Sequence, residues 1–345
     1  SALVAVIRAL VKPGGIVAFP AYGCTDLTSA AVRAGVRVRL YDLSPATLSP
    51  NLDSLRRAAR RGVDGVVVTH LYGYPADLNA VQEIGTEFGI PIIEDAAQAA
   101  GGKLHGVRLG ALGDVSILSF GRGKGLAAGS GGAILMRNGF ERSHGDGLRL
   151  SVAPPKRGGF EVVSLAAQWV LARPALYGIP SSIPALRLGE TVYKPAHEPH
   201  SISTMAAAIL PGAIKMDFDE TRTRQARAAA ILSTLTRSAR IDPVKPVAGG
   251  EPGYLRLAVL DPGGAISPNV RLGAVRGYPM TLDQHPQLHS LLEPGESAGS
   301  GSSLLRDRLL TLPTHSRVRS IDILRITMWA KAQQPEASAV AWVPT

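Results

Sequence analysis

Through its first 140 residues the chain alternates short apolar runs with segments of helical pattern. Ile16-Val17-Ala18-Phe19 is an apolar run stopped by Pro20, Thr25 to Ala34 reads as a helix closed by Gly35, and Val36 to Tyr41 reads as a strand. Asn51 to Arg61 is amphipathic, and Gly65 to Thr69 is a buried strand. Asp77 to Phe88 is a helix that Asp77 can cap, with Ala80, Val81, Ile84 and Phe88 on one face. Ile90 to Ile93, which runs on into Glu94-Asp95, Val115 to Phe120 and Gly132 to Met136 read as further strands. Strands separated by short helices need crossover connections, which means βαβ units and a largely parallel α/β sheet. Such a sheet binds its ligands beyond the carboxyl ends of its strands, so the chemistry is expected just after Phe19, Val68, Ile93 and Leu118.

The rest of the chain is less regular. Residues 141–200 are rich in Pro, Gly, Ser and His and resemble an insertion. Ser203 to Thr236 reads as a long helix with a break expected near Pro211-Gly212, Tyr254 to Leu260 as a strand, and Ser297 to Ser303 as a flexible Gly/Ser loop. Ser320 to Ala332 reads as a closing helix. A length of 345 residues suggests about two domains at ~150 residues each. The expected division is a large domain over 1–239 and a smaller α+β domain over 240–345.

Composition narrows the partners. With 45% hydrophobic and 19% charged residues the chain is globular and not disordered. Its formal charge is +10, but no run of five basic residues occurs and aromatics make up 5%, too few for a base-stacking platform. The charge fits nucleic acid, a membrane surface or anionic small molecules, or equally a generally basic surface, and the scattered Lys and Arg with few aromatics speak against nucleic acid. The most apolar stretch, Val162 to Leu186, is interrupted by Arg173, Pro174, Pro180 and Pro184, so no membrane span is expected. No signal-peptide pattern opens the sequence. A single cysteine, Cys24, excludes an internal disulfide framework and points to a reducing, cytoplasmic compartment.

Thr69 to Gly132 concentrates the chemistry. Asp95 ends a buried apolar strand, where a carboxylate is costly unless a cation or donor meets it. It reads equally as a counter-ion for a protonated ring nitrogen and as the cap of a helix starting at Ala96. Lys124 lies in a glycine-rich loop after a strand and can serve as a phosphate ligand, a Schiff-base nucleophile or a solvated loop lysine. Ser119 and the glycines after it offer a hydroxyl and N–H groups to an anion, or merely end a strand. A Walker A loop is excluded, because Leu118 and Gly125 stand where it needs Gly and Ser/Thr. Gly123-x-Gly125-x-x-Ala128 matches a dinucleotide fingerprint only in part, and no strand ending in an acid follows at the usual distance.

Taken together these segments resemble the DegT/DnrJ/EryC1/StrS aminotransferases. The pattern is His70-Leu71-Tyr72-Gly73, then Glu94-Asp95-Ala96-Ala97-Gln98, then Gly106-x-x-x-Gly110-x-x-Gly113-Asp114, then Ser119-Phe120 with Lys124 five residues after that serine, then Gly129-x-Gly131-Gly132. Looser similarity runs from Ser1 to about Ala229 and resumes at Leu312-Pro313-Thr314-His315. The resemblance implies an aspartate-aminotransferase-like fold of type I: a large domain on a mostly parallel central sheet, with a smaller C-terminal α+β domain. It also implies the cofactor pyridoxal 5'-phosphate (PLP), with pyridoxamine 5'-phosphate as intermediate.

By the same resemblance Lys124 is the Schiff-base lysine and proton carrier, and Asp95 holds the pyridine nitrogen protonated. Gln98 lies by the ring and its phenolic oxygen, Ser119 holds the phosphate, and Cys24 stands where the family often packs an aromatic residue over the ring. Ser1 follows the position of a Ser-Gly-Thr phosphate cup, which the family places ahead of it. Tyr22, Tyr72, His70 and His315 are candidate substrate residues, with core packing as the alternative for each. Ala196-His197-Glu198-Pro199-His200 departs from the family's Gly-Tyr-Asn-Tyr-Arg segment, so the role of its Asn does not transfer. No metal is implied. The implied reaction moves an amino group from an amino acid such as glutamate to a keto sugar, nucleotide-linked, or to a related keto compound of polysaccharide or secondary-metabolite synthesis. The implied assembly is a homodimer with shared sites. The alternatives are a dehydratase-like PLP protein, against which Lys124 argues, and a non-catalytic binding or regulatory protein.

Overall fold

The computed structural model describes residues 2–121, 123–140, 153–155, 193–195, 197–235, 241–264 and 266–332. Most of the insertion-like segment 141–200, with the apolar stretch from Val162 to Leu186 inside it, and residue Ser1 lie outside the described residues.

The chain opens with α1 (Ala2–Leu10), β1 (Ile16–Pro20), α2 (Thr25–Ala34), β2 (Arg37–Tyr41), α3 (Leu52–Arg60), β3 (Gly65–Thr69), α4 (Leu78–Phe88) and β4 (Ile92–Asp95). A hairpin, β5 (Lys103–Leu104) and β6 (Val107–Arg108), precedes β7 (Val115–Ser119) and β8 (Gly132–Met136). The central sheet has the order β2-β1-β3-β4-β7-β8 and is parallel except that β8 runs antiparallel to β7. β3 is buried along its whole length, as a strand covered on both faces must be. One apolar core, with Val66, Val68 and Ile92, lies under α3 and α4. The other, with Val17, Phe19, Val67 and Ile93, lies under α1 and α2.

Capping explains why the helix boundaries were readable. Asn51 accepts from the Ser54 N–H at 2.9 Å to start α3, and Asp77 accepts from the Ala80 N–H at 3.2 Å to start α4. Gly35 and Gly89 close α2 and α4 in the left-handed region, at φ 70° and 66°.

The second half is built on α5 (Thr204–Leu235), with β9 (Asp242–Pro243), β10 (Gly250–Glu251), β11 (Arg256–Leu260), β12 (Val275–Arg276), α6 (Ser300–Arg308), β13 (Leu309–Pro313) and α7 (Ser320–Ala332). Its antiparallel sheet has the order β12-β13-β11-β9. Ala228, Ile231 and Leu235 of α5 pack with Leu257, Val259, Leu310 and Leu312 of that sheet and with Ile326 and Ala330 of α7. The two halves interlock: β10 pairs with β5, and Val38 of β2 exchanges backbone bonds with Leu291 and Glu293.

Two expectations fail here. α5 runs unbroken through Pro211, since one missing N–H bond is outweighed in a 32-residue helix whose far end is locked into a core. Part of the Gly/Ser stretch is no flexible loop: Ser300 to Ser303 form the first turn of α6, where Asp42 accepts the N–H groups of Gly301 (3.0 Å) and Ser302 (2.7 Å).

Candidate active site

Tyr22, Asp95 and Ser119 all lie at or just beyond the carboxyl ends of β1, β4 and β7, the edge at which a parallel sheet offers its ligand site. Asp95 is the last residue of β4 and is 7% exposed. Its Oδ1 accepts from the Ala97 N–H at 3.0 Å, but this bond closes a turn, since no helix starts at Ala96, and its second carboxylate oxygen has no hydrogen-bond partner among the described residues. Burial pushes the Asp95 carboxyl up, against the opposing pull of the Ala97 N–H and the Lys124 charge.

Lys124 follows β7 in a loop turned by Gly123, whose φ is 75°. Its N–H donates to the Gly121 carbonyl at 3.3 Å, and Ala128 returns to the Phe120 carbonyl at 2.9 Å. The next residue must be glycine, because a Cβ at Gly125 would collide with the Ala100 side chain beside the buried Arg224. Arg224 ties this corner together by donating to the carbonyls of Gly253 (3.0 Å) and Ala100 (3.3 Å). The Lys124 side chain is half-buried and forms no ion pair with Asp95, although each lies in the other's electrostatic range. Its charge also reaches Cys24.

Cys24 precedes α2 and makes no capping bond with its side chain. Burial, followed by the nearby Asp26, pushes its thiol up to about 11, so it is a neutral wall and not a nucleophile. Ser119 accepts a long bond from the Gly121 N–H, 3.4 Å, and its hydroxyl hydrogen has no acceptor among the described residues. Gln98 is oriented at both ends: its Oε1 accepts from the Tyr72 N–H at 2.9 Å and its Nε2 donates to the Tyr278 hydroxyl at 2.8 Å. Tyr72 takes φ 55°, a strained value for a residue with a Cβ, to deliver that N–H.

The four candidate substrate residues are packed into the protein in different ways. His70 is wholly buried and has no free ring atom: Nδ1 accepts from the Ala76 N–H and Nε2 donates to Glu94, both at 2.9 Å. With both ring nitrogens engaged inside the protein, His70 braces the fold. Tyr22 is fully buried and Tyr72 is 6% exposed, which puts both behind the site wall. His315 sits between α5 and the second sheet. Burial, then the charges of Arg256 and Arg317, push its ring down to about 4, and its Nδ1 is buried without a partner. Glu198 is drawn to the outer surface by Arg8 (2.8 Å) and Arg33.

Sequence reasoning missed two residues. Glu94 received no role, yet its carboxylate accepts five donors: the N–H groups of Gly110 (2.6 Å), Leu112 (2.9 Å) and Gly113 (2.8 Å), the Ser116 hydroxyl (2.6 Å) and His70. Burial opposes the charge, but the bonds from His70, Ser116 and Gly110 outweigh it and hold the carboxyl at about 2. A charged residue inside an apolar strand, followed at fixed spacing by glycines, was the available signal. Gly113 is required because a Cβ there would meet the Glu94 Cβ at 2.6 Å. Tyr278 gave no signal, because only tertiary contact brings it to Gln98.

The arrangement fits PLP. Among the described residues, a buried carboxylate with an unused oxygen suits a protonated ring nitrogen, a half-buried amine without an ion-pair partner suits the carbonyl carbon, and the Ser119 hydroxyl, which has no acceptor, suits the phosphate. Among the described residues no three His, Cys, Asp or Glu converge on a metal position, and no helix is long and apolar enough to cross a membrane.

The sequence model of the DegT/DnrJ/EryC1/StrS aminotransferase family matches residues 1–151. The L-glutamine:2-deoxy-scyllo-inosose aminotransferase of Streptomyces fradiae is 34% identical over 127 residues, 35% of this chain and 30% of that protein. The dTDP-4-dehydro-2,3,6-trideoxy-D-glucose 4-aminotransferase of Saccharopolyspora spinosa is 33% identical over 120 residues, 35% of this chain and 31% of that protein. The matched stretch thus spans about a third of each of these relatives. The crystal structure of a DegT DnrJ EryC1 StrS aminotransferase from Brucella abortus superposes with a TM-score of 0.70 at 21% identity, over 96% of this chain and 82% of that one. Residues 1–151 carry the sequence pattern of the DegT/DnrJ/EryC1/StrS aminotransferases, and the chain has their fold, the type I fold of PLP enzymes.

Proposed function

We propose that this chain is a PLP-dependent aminotransferase that takes an amino group from an amino acid such as glutamate and gives it to a keto sugar, nucleotide-linked, or to a related keto compound. The observation that carries this reading is the placement of Asp95 and Lys124: a buried carboxylate with an oxygen and an amine that have no partner among the described residues, at one sheet edge, close enough to feel each other and not joined. Both curated relatives described above are aminotransferases by name, one acting on a keto cyclitol and one on a nucleotide-linked keto sugar, which supports the substrate class.

Bound PLP supplies an electron sink for bonds to the amino-bearing carbon. Asp95 would keep the ring nitrogen protonated, and its own burial strengthens that charge pairing. Lys124 would hold the cofactor covalently when resting and move a proton on the substrate carbon when displaced. Gln98 would donate its second Nε2 hydrogen to an acceptor oxygen on the ring. Ser119 and the Gly121 N–H would hold the phosphate, and Cys24 would pack on a ring face. The net positive charge of the chain favours an anionic substrate. We propose further that two copies assemble with shared sites and that the protein works in the cytoplasm.

The experiment is a spectrophotometric titration of the purified chain with PLP. A visible band that free PLP lacks should appear, should vanish on borohydride reduction, and should be absent in Lys124→Ala. Glutamate should then bleach it as the amino group is transferred. A wild-type protein that binds no PLP would overturn the reading.

A further inference from the structure

Three tyrosines meet beside Gln98, and they differ in one respect. Tyr22 and Tyr72 are buried, whereas Tyr278 is only partly buried. Tyr278 also comes from the other half of the molecule, on the turn after β12. That turn is delivered by close backbone approach. The Gly277 N–H donates to the Leu309 carbonyl at 2.9 Å, and a Cβ at Gly277 would collide with the Tyr22 hydroxyl. The Tyr278 N–H then donates to that hydroxyl at 2.7 Å. Its ring stacks on Tyr72 with centroids 5.6 Å apart and planes 20° from parallel. Its hydroxyl accepts from Gln98 Nε2 at 2.8 Å and lies close to the Cys24 thiol. The phenol therefore touches both residues that the proposed function puts against the cofactor ring.

Gln98 shows what the contact does. An amide has one acceptor end and one donor end. The Tyr72 N–H fixes the acceptor end. The Tyr278 hydroxyl takes one of the two Nε2 hydrogens and so sets the plane in which the other is held. We propose that Tyr278 is a positioning residue of the active site, supplied by the C-terminal sheet, which orients the Gln98 amide toward the cofactor ring and presents the tyrosine face that a bound ligand meets. The proposal rests on the reading of the chain as a PLP enzyme. It adds that the site is incomplete without the second half of the molecule.

The test is PLP titration of full-length wild type, Tyr278→Phe, Gln98→Ala and the double variant, following affinity and the pH midpoint of the visible band. Tyr278→Phe keeps the stacked ring and removes one hydrogen bond, so a roughly five- to tenfold weaker PLP affinity is expected, with a displaced midpoint. Its thermal midpoint should stay within about 2 °C of wild type. In the Gln98→Ala background the same change should have little further effect, because the hydroxyl acts through the amide. Wild-type affinity and midpoint in Tyr278→Phe would overturn the proposal alone, as would fully additive effects or a loss of fold in that variant. A wild-type chain that never binds PLP would overturn the proposed function and this inference with it.

Discussion

The two faces of the central sheet end differently at β4, one residue apart. Glu94 faces the α3–α4 side with Ile92, and Asp95 faces the α1–α2 side with Ile93, because successive side chains on a strand alternate. Both are buried carboxylates. Glu94 meets five donors and Asp95 meets one. The bonds that hold Glu94 down at about 2 have no counterpart at Asp95, where burial prevails and pushes the group up. A fully satisfied buried charge is a structural brace, and an under-satisfied one at a ligand edge is poised for an incoming cation. His70 joins the two faces, since its ring serves Glu94 while its N–H donates to the Asp95 carbonyl at 3.1 Å.

The contrast breaks most severely at Glu94→Ala. That change strands three N–H groups, a hydroxyl and the His70 ring inside the protein, and a loss of about 3–5 kcal/mol of folding stability is expected, as for any buried partner removed from a network. Urea unfolding of the cofactor-free protein measures it. A loss below about 1 kcal/mol would mean that Glu94 is not the brace described.

Acid titration gives the next effect. The folded Glu94 carboxyl lies below its ordinary value of 4.5, at about 2, so its contribution is present above the unfolded value and is lost as pH falls from about 5 toward 2. The shift corresponds to about 3 kcal/mol. Glu94→Gln should therefore be less stable than wild type at neutral pH and converge with it near pH 2, followed by circular dichroism. Parallel curves down to pH 2 would contradict the assignment.

Much of this was legible in the chain, for local reasons. Gly35 and Asp77 announce helix ends through backbone freedom or side chain, and they do so where the sequence placed them, while Asn51 and Gly89 add a cap and a stop that the sequence reading did not assign. The apolar strand β3 needs no partner to be recognised. What escaped depends on distant residues. β13 reads as an ordinary apolar stretch until β11 and β12 pair with it, and the capping of α6 comes from Asp42, far back in the chain. Asp95, Gln98, Ser119 and Lys124 stand out in the sequence because they follow one another at or after the ends of β4 and β7 in the order of the family's pattern, and their roles toward a cofactor belong to the proposed function. His70 stayed open between packing and substrate contact because its partner Glu94 lies 24 residues away on the neighbouring strand. Tyr278 was invisible for the same reason.

The smallest effect sharpens the contrast by reversing its sign. Asp95 has its folded value raised above 3.8, so in the cofactor-free protein the folded state holds its proton more tightly than the unfolded state does. Stability contributed at this position is therefore greatest at low pH and declines as pH rises from about 4 through the folded value, opposite to Glu94. Asp95→Asn removes the titration while keeping shape and an acceptor for the Ala97 N–H. The stability of Asp95→Asn relative to wild type should consequently increase from acid to neutral pH, and by less than the Glu94 variants lose. PLP should erase that advantage in wild type, since a ring cation satisfies the free oxygen. Denaturant melts at several pH values, with and without PLP, read both effects. An Asn variant whose relative stability falls with rising pH would show that Asp95 is already satisfied, and the distinction between the two carboxylates would collapse.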